Sequence, residues 1–99
     1  MKMNQIQEGN LLKVEIEGRL DTATSPQLEA ALLEVIDDVK ELIFDFSKLE
    51  YISSAGLRIL LMMQKKMMKQ GSMVIRHVNE IVAEVFEVTG FSDILTIEE

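Results

Sequence analysis

Alternating apolar and charged residues near the start of the chain predict a strand with one buried face. Within Leu12–Glu17 every second side chain is apolar and the side chains between are charged, which is the period-two pattern of a half-buried strand. The preceding segment, Met1–Gln7, is predicted to pair with this strand through a turn at Glu8-Gly9-Asn10. The chain is therefore expected to begin with two paired strands.

A helical period follows and predicts the first helix, from about Ser25 to Asp38. The hydroxyl of Thr24 or of Ser25 can cap its start, and Pro26 suits its first turn. The short apolar run Glu41–Phe46 is typical of a central strand buried on both faces. A loop is expected after it, from Ser47 to Ser53.

The rest of the chain continues the same alternation of helices and strands. The predicted elements are a helix at Ser54–Gln70 ended by Gly71, a strand at Met73–His77, a helix capped by Asn79 and reaching Val88, and a strand near Ile94–Ile97. The order is ββαβαβαβ. Right-handed crossovers between such strands predict an α/β fold with a partly parallel sheet, whose helices cover mainly one face.

Composition limits the class of protein. Ninety-nine residues suffice for one hydrophobic core, so a single domain over residues 1–99 is predicted. There is no cysteine, no apolar leader and no apolar run of membrane-spanning length, which together favour the cytoplasm. A formal charge of −7 repels phosphate backbones, so we expect a protein partner and neither a nucleic acid nor a membrane.

The usual signatures of catalysis are missing from the sequence. The chain has one histidine, His77, no Gly-x-Ser-x-Gly elbow and no phosphate-binding Gly-x-x-x-x-Gly-Lys loop. No metal-ligand spacing stands out. We therefore predict a protein that is not an enzyme and that has no cofactor and no metal.

The segment with the strongest functional signal is Asp45–Arg58, which leaves the predicted central strand and enters the second helix. Ser54 falls at the helix start, where unpaired N–H groups and the helix dipole would stabilise a phosphate. Phosphorylation there would add about −1.5 to −2 charge and three acceptor oxygens. The alternative is that Ser53 and Ser54 only cap the helix and that Gly56 only permits close packing.

A helical wheel of the second helix separates two sides. Leu57, Leu60, Leu61, Met67 and Met68 fall on one side with Gln64, and this side is predicted to face the sheet. Arg58, Lys65, Lys66 and Lys69 lie opposite, with Ile59 and Met62 among them. We interpret Arg58, Ile59 and Met62 as docking contacts beside Ser54, although single exposed apolar residues are also common without any function.

The motifs of this segment resemble a known family. The run YISSAGLRILL at Tyr51–Leu61, preceded by DFSKL at Asp45–Leu49, is similar to the signature of the STAS domain family. GRLD at Gly18–Asp21 and VTGF at Val88–Phe91 extend the resemblance over nearly the whole chain. Within the family the chain is most similar to bacterial anti-sigma factor antagonists.

This resemblance implies that phosphorylation controls the binding of a protein partner. The unphosphorylated protein would bind an anti-sigma factor and so release a sigma factor. The anti-sigma factor would often be the ATP-dependent serine kinase, and a PP2C-type phosphatase would reverse the modification. By position Ser54 matches the phosphoacceptor, with Ser53 as a second candidate. The partner-binding residues implied are Asp21, Thr22, Ser53, Ala55, Gly56, Arg58, Ile59 and Met62.

Two features of the chain leave alternatives open. Ser53 and Ala55 stand where many relatives carry aspartate and a hydroxyl residue, respectively. The same fold also serves as a non-catalytic subunit or scaffold of transporter complexes and of stress-sensing assemblies, and gene context would separate these roles. A monomer and a weak dimer are both compatible with the sequence.

Overall fold

The first two strands form an antiparallel hairpin in this computed structural model, which describes residues 1–98. β1 (Lys2–Glu8) and β2 (Leu11–Leu20) are joined by the two-residue turn Gly9-Asn10. Gly9 has a φ of 60°, which glycine adopts without strain. The predicted pairing of the two strands is therefore confirmed.

The order of elements also agrees with the prediction. The remaining elements are α1 (Ser25–Val35), β3 (Glu41–Ile52), α2 (Ser54–Gln70), β4 (Ser72–Arg76), α3 (Glu80–Thr89) and β5 (Ile97–Glu98), with 3₁₀ turns at Ile36–Asp38 and Phe91–Asp93. Within residues 1–98 no helix combines the length and the apolar character needed to cross a bilayer. The chain has the predicted order ββαβαβαβ.

The sheet is mixed, and its strands follow the order β1-β2-β3-β4-β5. β1 is antiparallel to β2, while β2 to β5 are parallel to one another. Because each parallel crossover moves one strand further in the same direction, right-handed connections place the three helices on one face. Burial agrees: Val14 and Phe44 are fully buried on that face, whereas Lys13 and Ile43 on the other remain partly exposed.

β3 is longer than predicted, because the expected loop from Ser47 is strand up to Ile52. Its pairing with β2 shifts register twice, once after Asp45 and once after Leu49. Such bulges insert an extra residue and change which side chains point inward. Leu49 and Ile52 are therefore both buried although they are three residues apart, and this hides the period of two in the sequence.

The ends of other elements also differ from the prediction, and β4 runs from Ser72 to Arg76, so His77 lies outside the strand. α1 stops at Val35, and the last residues of the predicted helix form the 3₁₀ turn Ile36–Asp38. The final strand does not begin at Ile94, which is exposed, but at Ile97. Thr24 precedes α1 without making a capping bond, since its hydroxyl is used within the preceding loop.

α2 buries a stripe that the wheel predicted only in part. Leu57, Leu60, Met63 and Met67 are buried, at the spacing of three and four residues expected for one helix face. Met68 was predicted to face the sheet, and this is wrong because the side chain is 74% exposed. It lies one position beyond Met67, about 100° further around the helix.

The end of α2 is fixed to the segment before β3. The Gln70 side-chain amide donates hydrogen bonds of 2.7 Å to the carbonyl oxygens of Ile36 and Val39. A β-carbon on Gly71 would overlap the carbonyl oxygen of Lys40. Only glycine fits where the end of α2 passes the backbone of Lys40. Gly71 follows the last residue of α2, as predicted.

Candidate functional site

The site begins where β3 ends and α2 starts. The backbone N–H of Ser53 donates to the Leu20 carbonyl oxygen at 2.9 Å, which holds the end of β3 against β2. Ser54 is the first residue of α2, and its side chain is exposed. No residue among 1–98 accepts a hydrogen bond from the backbone N–H of Ser54, Ala55 or Gly56. These free donors and the helix dipole make the surroundings of the Ser54 hydroxyl favourable for negative charge.

The two adjacent serines have different environments. Ser53 is the residue preceding α2, but its side chain makes no capping hydrogen bond. Its hydroxyl oxygen is buried and has no partner among the described residues. Ser54 is exposed, whereas Ser53 is only partly exposed and its hydroxyl is turned away from solvent. The capping interpretation does not account for Ser53.

Gly56 holds the start of α2 close to the sheet. A β-carbon at this position would lie 2.7 Å from Ile52 Cγ1 and 2.8 Å from Leu20 Cγ. Gly56 is buried, so it positions the helix start and offers no side chain to a partner. The close packing expected at Gly56 is observed, and its predicted contact with a partner stays a prediction.

Asp21 organises the loop between β2 and α1. Its Oδ1 accepts hydrogen bonds from the backbone N–H groups of Ala23 at 3.0 Å and Thr24 at 3.1 Å. The bond from the Thr24 N–H, aided by the Thr24 hydroxyl, the Ala23 N–H and Arg19, lowers the pKa of Asp21 below its ordinary value. Asp21 therefore stays ionised and shapes the loop that carries Thr22.

Arg19 is held on the outer side of the same loop. Its guanidinium carbon lies 4.5 Å from the centre of the Tyr51 ring, in the geometry of a cation–π contact. Its Nε is 3.8 Å from Asp21 Oδ2. The contact between Arg19 and Tyr51 could not be predicted from the sequence. The two residues are opposite each other only because the two bulges shift the register between β2 and β3.

A groove of about 240 Å³ lies between the starts of α1 and α2, and we call it the α1/α2 groove. Its lining residues are Thr22, Ser25, Pro26, Glu29, Ala55, Arg58, Ile59 and Met62. Five of these were predicted as partner contacts from the sequence, and the structure brings them together. The predicted Asp21, Ser53 and Gly56 are not among the lining residues.

Three lining residues were missed by the sequence analysis: Ser25, Pro26 and Glu29. Ser25 is only 3% exposed, and its hydroxyl has no partner in residues 1–98. A sequence does not show which helices will be neighbours, so no local pattern could have joined Glu29 to Arg58.

Ile59 was predicted to lie on the solvent side of α2, and this prediction is wrong. The side chain is 5% exposed, because α2 packs against α1 as well as the sheet. Ile59 and the partly buried Met62 form the apolar floor of the α1/α2 groove. Arg58 is exposed, as predicted.

A second polar cluster lies on the open face of the sheet. Asp45 is 8% exposed, and its Oδ1 accepts a 2.9 Å hydrogen bond from the Ser47 N–H, while Lys13 Nζ lies 3.8 Å from its Oδ2. Burial alone would raise the pKa of Asp45, but hydrogen bonding to the Ser47 backbone and side chain, together with the electrostatic effect of nearby His77 and Lys13, lowers it overall. Across residues 1–98, no group of three histidine, aspartate or glutamate side chains is arranged to bind a metal ion.

Among the proteins that are similar in sequence to this chain are two from bacteria. BtrV, a candidate anti-sigma factor antagonist of Bordetella bronchiseptica, is 34% identical over 99 residues, covering 98% of this chain and 85% of that protein. The anti-sigma-B factor antagonist of Bacillus subtilis is 28% identical over 92 residues, covering 92% and 84%.

The same fold is found in solved structures. The Bacillus anti-sigma factor antagonist SpoIIAA superimposes with TM-scores of 0.79 in its unphosphorylated form and 0.77 in its phosphorylated form, at 17% identity. These alignments cover 99% of this chain and 88% and 92% of the two SpoIIAA chains. The STAS domain itself matches residues 2–99. The chain therefore belongs to the STAS domain family.

Proposed function

We propose that this protein is an anti-sigma factor antagonist that binds an anti-sigma factor through the α1/α2 groove and the adjacent Ser54. The observation that carries the proposal is the position of an exposed serine hydroxyl at the start of α2, beside a groove built from two helices. The similarity of the whole chain to antagonists from two bacteria supports the same role. Binding of the anti-sigma factor would release a sigma factor for transcription.

Phosphorylation of Ser54 is the proposed off-switch. A phosphate there would place about −1.5 to −2 charge at the edge of the groove, enough to repel a docked partner without refolding either protein. Ser54 is favoured over Ser53 as the acceptor because the Ser53 hydroxyl is buried. The protein acts in this scheme as a non-catalytic binding partner that receives the phosphate.

The kinase and the phosphatase are part of the proposal. The anti-sigma factor itself would transfer the phosphoryl group from ATP to the Ser54 oxygen, leaving ADP, and a PP2C-type phosphatase would hydrolyse the phosphoserine. Both enzymes need an accessible hydroxyl or phosphate, which the exposed position of Ser54 provides. Ser54→Ala should abolish labelling when the chain is incubated with the purified anti-sigma factor and ATP, and mass spectrometry should map one phosphate to Ser54 in the unchanged protein.

The binding test uses isothermal titration of the purified anti-sigma factor with four proteins: the unchanged chain, Ser54→Ala, Ser54→Asp and Ser92→Asp. Ser92 is exposed in the 3₁₀ turn after α3, so Ser92→Asp controls for one added charge. We expect Ser54→Asp to weaken binding at least about tenfold, because like-charge repulsion across the interface costs more than about 1.4 kcal/mol. Ser54→Ala and Ser92→Asp should bind nearly as the unchanged chain does. Equal affinity for both aspartate variants, together with no labelling of Ser54, would refute the switch.

A further inference from the structure

Arg58 is the one arginine of the chain whose guanidinium is not already held by a neighbour in residues 1–98. Arg19 lies over the Tyr51 ring at 4.5 Å, and Arg76 Nε is 2.9 Å from Glu98 Oε1. Arg58 is exposed, forms no ion pair within the described chain and lines the α1/α2 groove. Its side chain is therefore free to respond to a new charge nearby.

The position of Arg58 on α2 places it next to Ser54. The two residues are four apart in one helix, so they lie on the same face one turn apart, with about 5–6 Å between their β-carbons. Side chains in a helix lean toward its N-terminus, which directs Arg58 back toward the first turn. A phosphate on Ser54 would thus lie within reach of a guanidinium that can bind two of its oxygens.

We propose that Arg58 is the residue that converts phosphorylation of Ser54 into loss of the docking surface. This rests on the proposed function, since it concerns the regulation of the same site. In the unphosphorylated protein Arg58 forms one wall of the α1/α2 groove. In the phosphorylated protein its guanidinium pairs with the phosphate and leaves the groove.

The charge of the groove explains why this movement matters. Among the eight lining residues the charged side chains are Glu29 and Arg58, one from each helix. With both present the groove is neutral and offers one carboxylate and one guanidinium to a partner. When Arg58 is bound to the phosphate, Glu29 remains alone, and a partner carboxylate that had met Arg58 faces only negative charge. The loss of Arg58 from the groove then adds to the repulsion between the phosphate and the partner, with the backbone unchanged.

The first test needs no partner. Phosphoserine is incorporated at position 54 during translation, and the second pKa of its phosphate is measured by ³¹P NMR titration in the otherwise unchanged protein, in Arg58→Gln and in Lys65→Gln. Lys65 is an exposed cation of the same helix eleven residues from Ser54, about 16 Å along the axis. Arg58→Gln should raise the phosphate pKa by about half a unit, as expected for loss of one exposed ion pair, and Lys65→Gln should not. No difference between Arg58→Gln and the unchanged phosphoprotein would overturn the proposal.

The second test measures how strongly phosphorylation weakens binding to the purified anti-sigma factor. The ratio of dissociation constants, phosphorylated over unphosphorylated, should fall about five- to tenfold in Arg58→Gln relative to the unchanged chain and to Lys65→Gln. Equal ratios in all three would show that the phosphate repels the partner by itself, and would overturn the role of Arg58. If no form binds the anti-sigma factor, the proposed function fails, and the NMR titration alone decides whether Arg58 pairs with the phosphate.

Discussion

Gly56 packs so closely against Leu20 that a β-carbon on the glycine would lie 2.8 Å from the leucine Cγ. Leu20 is the last residue of β2 and is fully buried. The contact therefore holds the first turn of α2 against the sheet, and Ser54, two residues earlier, lies at the edge of the sheet. The location of the candidate acceptor depends on the absence of a side chain at Gly56.

We predict that Gly56→Ala destabilises the protein although alanine favours helices. The propensity gain is about 1 kcal/mol, whereas overpacking a filled core costs about 1–3 kcal/mol. The atoms in the way, Leu20 Cγ and Ile52 Cγ1, lie close to the backbone and cannot move aside easily. We therefore expect a cost of about 2–3 kcal/mol, so that the unfolding free energy in urea falls by about 1–2 kcal/mol.

Leu20→Ala provides the control for this prediction, because it opens space where the new methyl group would collide. In a double-mutant cycle, Gly56→Ala should cost clearly less in the Leu20→Ala background than in the unchanged protein. The same cost in both backgrounds would mean that the contact with Leu20 is not the cause.

The sequence predicted the order of elements well because the fold relies on strong local periods. The alternation in β2 and the stripe of α2 need no tertiary information, and the start of α2 at Ser54 was placed correctly. The second half of β3 was missed because two bulges place Leu49 and Ile52 on one face at a spacing of three. Pattern reasoning assumes a regular strand, and a bulge breaks that assumption.

Apart from Thr22, the lining residues of the α1/α2 groove that were predicted all lie on α2. Arg58, Ile59 and Met62 were identified on α2, but the burial of Ile59 depends on α1 lying beside it. Glu29 is 29 residues from Arg58 in the chain, and only the packing of two helices makes them walls of one groove. The features that were not predicted, the burial of Ile59 and the place of Glu29 in the groove, are thus those that depend on how the two helices pack.

Asp45 should make the unfolding free energy depend on pH in the acid range. Its folded-state pKa is lowered below its value of about 3.9 in an unfolded chain. The ionised form therefore stabilises the fold fully above the unfolded-state pKa, and this stabilisation is lost as the pH falls through the folded-state pKa. Asp45→Asn should cost about 1 kcal/mol at pH 7, since a charged acceptor is replaced by a neutral one.

The measurement is urea unfolding of the unchanged protein and Asp45→Asn between pH 7 and pH 2.5. The difference between them should begin to shrink near about pH 4, where the Asp45 carboxyl of the unfolded chain takes up a proton, and should be lost as the pH falls through the lower folded-state pKa. Asp38→Asn, at an exposed position, controls for the removal of one negative charge from an acidic protein. A difference that stays constant down to the lowest pH would contradict the assigned pKa direction.

Glu29 gives the sharpest test of the α1/α2 groove, because its role was visible only in the structure. Glu29 lines the groove opposite Arg58 and forms no ion pair within residues 1–98. Under the proposed function, a partner that meets Arg58 with a carboxylate meets Glu29 with a basic side chain. Glu29→Lys should then weaken binding to the anti-sigma factor about tenfold or more, while changing the unfolding free energy by no more than about 0.5 kcal/mol.

Glu34→Lys is the matched control, since Glu34 is an exposed residue of the same helix outside the groove. Both variants change the net charge by the same amount, so a long-range effect of charge would weaken both equally. A contact in the groove would weaken only Glu29→Lys, and the loss should shrink when the titration is repeated at higher salt, because screening reduces the repulsion between the new lysine and the partner. Equal losses for the two variants would place the docking surface away from the α1/α2 groove.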